Sequence, residues 1–423
     1  MNLVNHTRID LVIGIIYVDY HLKKYNTNFH KELYIEHKRV WNNLKEKHYN
    51  GESDFINRFN SIIASIQKEN INLVPVDVWK INNTLWVRDG FHRISTLFSL
   101  NLKPNINIIE RDYNDIYKFG VSHMYPTSIY FFKNRGLNIS YCDYVMKTYL
   151  KNHMKHFSCV VLFPNETQPP KFIESNKIIY EKVINNYTDD FTKNFIQILY
   201  FNEKWCQDGG FIRKSLRCFK EKKPFRILFI EKQTNSNLIT IKNNIRNFYQ
   251  TGKDSVHTPD TQEEANRLLM LLNSNTINYL NVKLSLYINF PNFIRLCNKL
   301  SHFCNINNIN TDFICLTSSA VLSIYGIRDC ADIDLFIDRK YESLFTTTEF
   351  DNHNSHTIKK YYSNHFEDII HNPNNHFTFF NFKVCNLDII HKYKKYRIEN
   401  NLYGEKSIIK DKNDIKNIEK YMI

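Results

Sequence analysis

Two aspartates separated by one residue, Asp332 and Asp334, have the residue type and spacing of a metal-binding pair. Alternate side chains of a strand share a face, so both carboxylates should point the same way. Carboxylates held side by side repel each other unless a cation lies between them, and a divalent metal bound to nucleotide phosphates is a common such cation. The alternative is a solvated strand edge with polar residues on its wet face. The surrounding residues favour the metal site.

The elements that must position this pair are readable in the flanking sequence. The apolar run Phe313–Leu316 predicts a strand, and the small hydroxyl residues Ser318 and Ser319 begin a short predicted helix. A Gly-Ile-Arg turn follows, and residues 332–335 then alternate between acidic and apolar side chains, which predicts a second strand with one buried face.

This order of elements resembles the nucleotidyltransferase superfamily, whose pattern is Gly-Ser, then Asp-x-Asp, then a third Asp. The resemblance implies that Ser318 and Ser319 form the turn that holds the triphosphate of ATP or another NTP. It also implies that Asp332 and Asp334 bind Mg2+. Ser318, or Thr317, replaces the glycine of the family, so the backbone should approach phosphate less closely.

The same resemblance implies a third carboxylate at Asp388, in a predicted later strand at Phe382–Ile390, where it would activate an acceptor hydroxyl. Arg397 and the segment Lys410–Ile415 are similar to a Lys-Asp-x-x-Asp tail that follows this domain in some bacterial relatives. The resemblance covers residues 285–423 and implies a mixed sheet with helices.

A second motif with chemical potential is Asp89-Gly-Phe-His-Arg93. A predicted strand ends before it, the chain turns on Gly90, and His92 and Arg93 open a predicted helix. A helix N-terminus presents free amide donors, and a His and an Arg placed there favour an anion such as phosphate. The alternative is an Asp-Gly turn whose Arg lies on the surface.

The motif resembles the phosphate-binding turn of the ParB/sulfiredoxin superfamily, which includes small-molecule kinases with an Asp-Gly-x-His-Arg turn. The resemblance implies that Asp89, Gly90, His92 and Arg93 face nucleotide phosphates. A carboxylate of the preceding helix, Glu32 or Glu36, is then a candidate base for an incoming hydroxyl. Residues 1–120 contain no cysteine, which excludes sulfinic-acid repair.

The N-terminal elements are predicted as a strand at Leu11–Ile16, helices at 29–42 and 54–68, and a helical connector at 121–155 whose clearest helix is 141–154.

Residues 156–284 predict strands and helices in an order that favours a ferredoxin-like sandwich. The stretch from Ile245 to Ala265 resembles the nucleoside diphosphate kinase signature. By that resemblance His257 accepts the phosphoryl group, Arg246 clamps phosphate and Asp260 is the Asp of the turn. A neutral imidazole is a competent phosphoryl acceptor near pH 7. Two features of the family are changed here, since its first-strand Lys is missing and its His-Gly-Ser-Asp turn reads His-Thr-Pro-Asp.

Composition sets the class of protein. The chain has 423 residues, 43% hydrophobic residues and a net charge of +13. That length and composition predict a folded protein of several domains, and the charge suits an anionic partner. The three resemblances imply that these domains have α+β or α/β folds. The nine cysteines are an odd number without a Cys-x-x-Cys pair, which predicts free thiols in a reducing, cytoplasmic location. No apolar run has the length of a membrane span.

Three segments thus predict phosphate handling, and the first hypothesis is nucleotide-dependent phosphoryl or nucleotidyl transfer to a small-molecule acceptor. Similar domain combinations beside bacterial surface-polysaccharide genes favour a sugar or polyol. A second hypothesis is a nucleic-acid-binding or regulatory protein with degenerate catalytic domains, which the dispersed lysines do not favour. A third is a nucleotidyltransferase of toxin or antitoxin type acting on RNA or protein. The sequence leaves the oligomeric state open.

Overall fold

The computed structural model describes residues 8–46, 49–69, 75–81, 84–88, 90–110, 129–154, 156–164, 178–283, 286, 290–345, 349–402 and 404–422. The chain separates into two compact units, residues 1–157 and 158–423. Both units combine helices with small sheets, so the fold is mixed α+β. The finer division predicted from the sequence, into 1–120, 121–155, 156–284 and 285–423, stays a prediction.

Helices dominate the described part of the first unit: α1 (Ile9–Lys23), α2 (Phe29–Asn42), α3 (Glu52–Glu69), α4 (Phe91–Ser99), α5 (Ile129–Asn134) and α6 (Ile139–Thr148), which a π-helical turn continues over Tyr149–Met154. Helix α2 is amphipathic, with Phe29, Leu33 and Tyr34 buried on one face. The helices predicted at 29–42 and 54–68 and in the connector are confirmed.

The strand predicted at Leu11–Ile16 is wrong, because the segment belongs to α1. Every residue from Ile9 to Val18 is buried, so the run has no polar face that would mark a helical period. Periodicity does not separate a buried helix from a buried strand in such a run. The helix continues to Lys23 and ends at Lys24, whose φ of 51° is left-handed.

Gly14 lets α1 approach α4 closely. A Cβ at this position would collide with Oγ of Ser95, and would lie 2.8 Å from Cβ of Ser95 and 2.9 Å from Cζ of Phe91. We therefore expect Gly14→Ala to destabilise the first unit by about 1–3 kcal/mol, despite the better helix propensity of alanine.

Thermal unfolding of the whole chain measures this effect. The control is Gly404→Ala, because nothing lies within 4 Å of a Cβ there and the loss of this N-cap glycine should cost no more than about 1 kcal/mol. Equal melting temperatures for the two variants would contradict the close packing of α1 on α4.

A three-stranded sheet completes the first unit, in the order β4-β3-β5. The strands are β3 (Val76–Ile81), β4 (Thr84–Val87) and β5 (Ile106–Glu110), and a separate short pair joins β1 (Lys45–Glu46) to β2 (Tyr49–Asn50). Strand β3 is antiparallel to β4 and parallel to β5. Strand β4 leads through Gly90 into α4, as the sequence predicts, whereas Asn82, Asn83 and Asp89 lie outside the described residues.

The second unit contains two sheets, of which the first has the order β7-β8-β6-β9. Its strands are β6 (Phe157–Leu162), β7 (Ile178–Ile184), β8 (Phe225–Glu231) and β9 (Val256–His257), with helices α7 (Asp189–Leu199), α8 (Phe211–Cys218) and α9 (Asn235–Tyr249) between them. Strands β7 and β8 are antiparallel, as are β6 and β9. Helix α9 covers this sheet by packing Ile241 and Ile245 on Val160 and Leu228. The sequence also predicts a helix near 170–175, and these residues lie outside the described part of the chain.

The second sheet has the order β12-β11-β10-β14-β13. Its strands are β10 (Ile314–Leu316), β11 (Ile333–Ile337), β12 (Phe350–Asn352), β13 (His376–Phe379) and β14 (Phe382–Cys385). Strand β10 is antiparallel to β11 and parallel to β14, and β11 is parallel to β12. Strands β10 and β11 are buried along their whole length, and all of their residues except Asp334 are apolar.

The other α-helices in the described part of the second unit are α10 (Gln262–Leu268), α11 (Ser274–Val282), α12 (Pro291–Ile306), α13 (Ser318–Ile324), α14 (Asn354–Ile358), α15 (Phe366–His371), α16 (Leu387–Glu399) and α17 (Glu405–Ile418). Helix α11 packs on both α7 and β13. Asn194 of α7 donates to the carbonyl of Leu280, and the backbone amide of Thr378 donates to the hydroxyl of Thr276. One helix therefore contacts the helical layer of the first sheet and an edge of the second.

All nine cysteines are free thiols, and eight of them are buried. Burial raises the pKa of the Cys159, Cys315 and Cys385 thiols. Within the described ranges, none of the helices has the length and apolar character needed to cross a membrane.

Candidate functional site

The turn between β10 and α13 has the backbone conformation that glycine favours. Ser318 has a φ of 47°, in the left-handed region, directly after the extended residue Thr317. A left-handed conformation costs a residue with a side chain roughly 1–2 kcal/mol. The chain thus keeps the turn geometry even though a serine stands where the resemblance expects glycine.

The structure brings the predicted serines and aspartates together. The backbone N–H and the hydroxyl of Ser319 both donate to Oδ2 of Asp334, at 3.3 and 3.1 Å. The same hydroxyl lies 3.5 Å from the backbone oxygen of Asp332, which immediately precedes β11. Asp334 is buried inside the strand and Asp332 is half-buried beside it.

The neighbouring strand contributes two side chains that the sequence analysis missed. Asp351 on β12 is the Cα partner of Asp334, and His353 follows two residues later. Nε2 of His353 lies 3.2 Å from Oδ1 of Asp334 and 3.4 Å from Oδ2 of Asp351, and its Nδ1 lies 3.1 Å from the hydroxyl of Tyr362. The Asp-x-His spacing of Asp351 and His353 could have indicated two further metal ligands. Nothing in the sequence, however, predicts that this short strand pairs with β11.

The imidazole of His353 acts as the cation of this group. Burial lowers the pKa of His353. The hydrogen bonds that its ring donates to Asp334 and Asp351 outweigh that effect and raise the pKa to about 9. Burial likewise raises the pKa of Asp334, and His353 reverses the effect and lowers it to about 2. Burial and then the charge of Asp334 raise the pKa of Asp332.

The residues fit a divalent cation. One donor atom from each of Asp334, Asp351 and His353 lies within 4.8 Å of the others, and no other such group occurs in the described ranges. Carboxylate oxygens suit Mg2+, and an added imidazole suits Mn2+ or Zn2+. A metal that used the imidazole would displace the proton that His353 carries.

The His353–Asp334 pair predicts a pH dependence of stability in the presence of a chelator. The folded pKa of His353, about 9, exceeds the ordinary 6.5, so its contribution is fully present below pH 6.5 and is lost as pH rises through 9. The contribution should be on the order of 3 kcal/mol. Asp334 contributes above pH 3.8, and this contribution is lost as pH falls through 2.

Urea unfolding in EDTA at pH 6 and pH 10 measures the predicted loss. The difference between the wild type and His353→Gln removes the effect of other titrating groups. We expect this difference to shrink at pH 10, and a difference that grows with pH would contradict the assignment of a charged His353.

Asp388 does not lie in a strand, so that part of the sequence prediction is wrong. Strand β14 ends at Cys385, and Asp388 lies in the first turn of α16, half exposed and 3.7 Å from Nζ of Lys392. The reason is local, since an acidic residue favours the first turn of a helix and Asn386 serves as its N-cap. The additional carboxylate next to Asp334 instead comes from the neighbouring strand β12, which carries Asp351.

The acidic tail noted in the sequence forms a buried ion network. Nζ of Lys394 lies 2.7 Å from Asp411 and 2.8 Å from Asp414, and all three side chains are at most 4% exposed. Arg328 donates two hydrogen bonds to the carboxylate of Asp414, of 2.8 and 3.0 Å, and Nε of Arg397 lies 3.1 Å from Asp411. The network joins α16, α17 and the turn before Asp332.

A second candidate site is a cleft of about 860 Å³ against the first sheet of the second unit. Six cationic side chains and two carboxylates line it together with aromatic and small residues. Its lining comprises Tyr200, Trp205, Asp208, Gly209, Gly210, Arg213, Lys214, Arg217, Lys242, Arg246, Lys253, Val256, His257 and Asp260. The three residues predicted here, His257, Arg246 and Asp260, are brought together.

His257 is buried at the end of β9, and its Nδ1 lies 3.1 Å from the hydroxyl of Tyr200. Its Nε2 is buried and has no hydrogen-bond partner among the described residues. Burial, and then the charges of Lys242 and Lys214, lower its pKa to about 3, so the ring is neutral at pH 7. Tyr200 was not foreseen, because it lies 57 residues away in sequence and is placed by the end of α7.

Arg246 and Asp260 differ in their surroundings. Nε of Arg246 is buried without a hydrogen-bond partner in the described chain, whereas Asp260 is exposed and lies 3.8 Å from Nζ of Lys242. Thr261, not Asp260, is the N-cap of α10, since its hydroxyl accepts the amide of Glu264 at 3.2 Å.

The N-terminal motif is divided between core and surface. Gly90 has a φ of 90° and is the N-cap of α4. His92 is 8% exposed, and its Nε2 lies 2.9 Å from the hydroxyl of Tyr34. Arg93 lies nearer the surface, with one nitrogen 3.4 Å from the carbonyl of Pro75. The imidazole thus belongs to an aromatic cluster with Phe59, and the phosphate role predicted for this motif stays a prediction.

The two candidate bases of α2 lie at its outer face. Glu32 is exposed, and Glu36 is half-buried and pairs with Arg39. The other nitrogen of Arg39 lies 2.7 Å from Glu52, so Glu36 belongs to a three-residue charged chain.

Comparisons of this chain with protein-family models, with curated proteins and with solved structures find no match.

Proposed function

We propose that the C-terminal half of the second unit transfers a nucleotidyl group from an NTP to a hydroxylated acceptor. The observation that carries the proposal is the convergence of Asp334, Asp351 and His353 beside the left-handed Ser318 turn. The resemblance of the Ser-Ser and Asp-x-Asp segments to nucleotidyltransferases supplies the reaction class. Nucleotides are the expected partners, with Mg2+ as the metal.

The residues take distinct roles in this proposal. Asp334 and Asp351 would hold the metal, which when bound neutralises phosphate charge and polarises the reacting phosphorus. Ser318 and Ser319 would bring the triphosphate to the start of α13. Asp332, whose pKa is raised, would accept the proton of the incoming hydroxyl.

A sugar or polyol is the proposed acceptor, and RNA or protein is the alternative for a toxin-type enzyme. The decisive assay measures magnesium-dependent pyrophosphate release with each NTP and a panel of sugars and polyols. Mass spectrometry of cell-extract components after incubation detects nucleotide adducts on RNA or protein. If wild type and the double variant Asp332→Ala/Asp334→Ala give equal signals, the proposal is wrong.

A second function, phosphoryl transfer at the cleft, is favoured by the neutral His257 with its unpartnered Nε2. When the hydroxyl oxygen of Tyr200 accepts the Nδ1 proton, Nε2 carries the lone pair and can attack a terminal phosphorus. The bond between that phosphorus and the leaving diphosphate then breaks, and phosphohistidine and a nucleoside diphosphate result. The strand order β7-β8-β6-β9 supports a ferredoxin-like sandwich of the nucleoside diphosphate kinase kind.

Incubation with ATP labelled at its γ-phosphate, once with Mg2+ and once in EDTA, tests this second function, because phosphohistidine is labile to acid and stable to base. We expect label on the wild type and none on His257→Ala. The control is His391→Ala, which removes a partly buried histidine of the same unit that does not line the cleft. Equal labelling of both variants would contradict the role of His257.

A further inference from the structure

The cationic side chains of the cleft are not equally neutralised. Nζ of Lys214 lies 2.6 Å from Asp254 and 2.8 Å from the carbonyl of Lys253, and Nε of Arg217 lies 3.4 Å from Asp254. These two cations thus share one carboxylate. Lys242 has only the 3.8 Å contact with the exposed Asp260.

Three other cations of the lining have no counter-ion within the described part of the chain. Across the described residues, the side chains of Arg213, Arg246 and Lys253 form no ion pair or hydrogen bond. The buried Nε of Arg246 is among the atoms without a partner. Uncompensated cations that share a cleft repel one another, so an anionic ligand would relieve the repulsion.

The unpartnered Nε2 of His257 is an independent sign of a ligand. The residue is 7% exposed and lines the same cleft, and its Nε2 is buried without a hydrogen-bond partner in the described chain. A buried polar atom without a partner calls for an explanation, such as a functional role or a bound water or ion.

Within the described ranges, the cleft holds no group of three metal-donor side chains, and such a group occurs there only at Asp334, Asp351 and His353. The cleft sets two carboxylates, Asp208 and Asp260, against six cations, so its lining carries an excess of positive charge. Charge neutralisation in the cleft therefore falls to lysine and arginine. Arginine binds phosphate oxygens with two parallel hydrogen bonds and needs no bridging cation.

We infer that this cleft binds the phosphate chain of a nucleoside di- or triphosphate as the free anion, without a divalent metal. The inference takes its ligand class from the phosphoryl-transfer function proposed for His257 and adds the ionic form of the ligand. The two candidate sites of the second unit would then bind different ionic forms of phosphate. The acidic site at Asp334 and Asp351 would bind metal-bound triphosphate, and the basic cleft would bind metal-free polyphosphate.

Trp205 gives a direct reporter of binding. It is the one tryptophan of residues 158–423, lines the cleft, and is 39% exposed, with its ring 5.0 Å from that of Tyr200. The probe is inorganic tripolyphosphate in EDTA, titrated by tryptophan fluorescence and by calorimetry, with Trp205→Phe to identify the signal. We expect saturable binding in EDTA that weakens when Mg2+ is added, since magnesium competes for the phosphate oxygens.

A double variant tests the assignment to the cleft. Arg213→Ala/Arg246→Ala should lower the affinity for tripolyphosphate by about 30-fold or more. Lys220→Ala/Lys232→Ala is the matched control, because it removes the same charge from exposed positions outside the lining and should retain the affinity. Circular dichroism of each variant verifies the fold.

Three results would overturn the inference: binding only in the presence of Mg2+, equal affinities of the two double variants, or tighter binding of a single-stranded oligonucleotide than of tripolyphosphate. Labelling of His257 separates this outcome from that of the proposed function. Metal-free binding without phosphohistidine would support the inference and count against phosphoryl transfer. Phosphohistidine formation without metal-free binding would support phosphoryl transfer and overturn the inference.

Discussion

Replacing Asp334 with asparagine is expected to lower magnesium-dependent nucleotidyl transfer by at least about a hundredfold, because a metal ligand worth several kcal/mol of transition-state charge stabilisation is lost. Asparagine has the same shape, and its amide oxygen can still accept the N–H and O–H of Ser319. The chain should therefore still fold, but with a lower melting temperature, because the variant loses the negative charge that pairs with His353. The measurement is pyrophosphate release at saturating NTP.

A second comparison decides which carboxylate completes the site. Asp351→Asn should reduce activity to a similar extent without affecting folding, since the Asp351 side chain is 57% exposed. Glu349→Gln is the matched control on the same segment, where Glu349 forms surface pairs with Arg295 and Lys299. If Asp388→Asn abolishes activity and Asp351→Asn does not, the third carboxylate is the one on α16 and the geometric assignment is wrong.

Lys394→Met is expected to destabilise the second unit by about 3–5 kcal/mol, which corresponds to a drop in Tm of roughly 10 °C. Lys394 is 2% exposed and neutralises both Asp411 and Asp414. Arg397 and Arg328 would each remain with one carboxylate, but the two buried carboxylates would lose the cation between them. Removing one partner of a buried network costs more than the network contributes, because the remaining charges stay desolvated.

The control for this variant lies on the same helix. Lys392 is 63% exposed and has only a 3.7 Å contact with Asp388, so Lys392→Met should change stability by less than about 1 kcal/mol. Thermal unfolding and protease resistance of residues 158–423 in the full chain measure both variants. Equal melting temperatures would mean that the network contributes no more than a surface pair.

Local patterns predicted the elements whose sequence has a clear period. Helix α2 is an example, because Phe29, Leu33 and Tyr34 recur at helical spacing with polar residues opposite. The segment from Ile9 to Val18 has no such contrast, and its helical state follows from burial on all sides in the folded unit. Secondary structure in a wholly apolar run is decided by tertiary packing, which one sequence does not contain.

In the candidate sites, likewise, the residues close together in sequence were predicted and those brought in by strand pairing were not. Asp332, Asp334, Ser318 and Ser319 lie within 17 residues of one another, so their spacing alone predicted the turn and the strand pair. Asp351 joins them only through the parallel register of β11 and β12, which no local pattern specifies.

His92 shows that a local motif does not specify the surroundings of a side chain. The Asp-Gly-x-His-Arg order predicted the start of α4, and the structure adds that the ring lies among aromatic residues with its Nε2 2.9 Å from the Tyr34 hydroxyl. Tyr34 lies 58 residues earlier, and its hydroxyl satisfies a polar group that burial would otherwise penalise. Sequence order placed the residue on α4, but the side-chain environment came from α2.

The cysteines divide unequally between the units, with Cys142 in residues 1–157 and the other eight in residues 158–423. Because thiolates are the reactive form, protonated buried thiols react slowly with alkylating reagents until the surrounding structure opens. Timed alkylation in low urea, followed by intact mass, would therefore resolve the opening of each unit without any engineered probe. Alkylation of Cys142 reports the opening of the first unit, and alkylation of up to eight cysteines reports the opening of the second. Digestion and peptide mass then identify which cysteine has reacted.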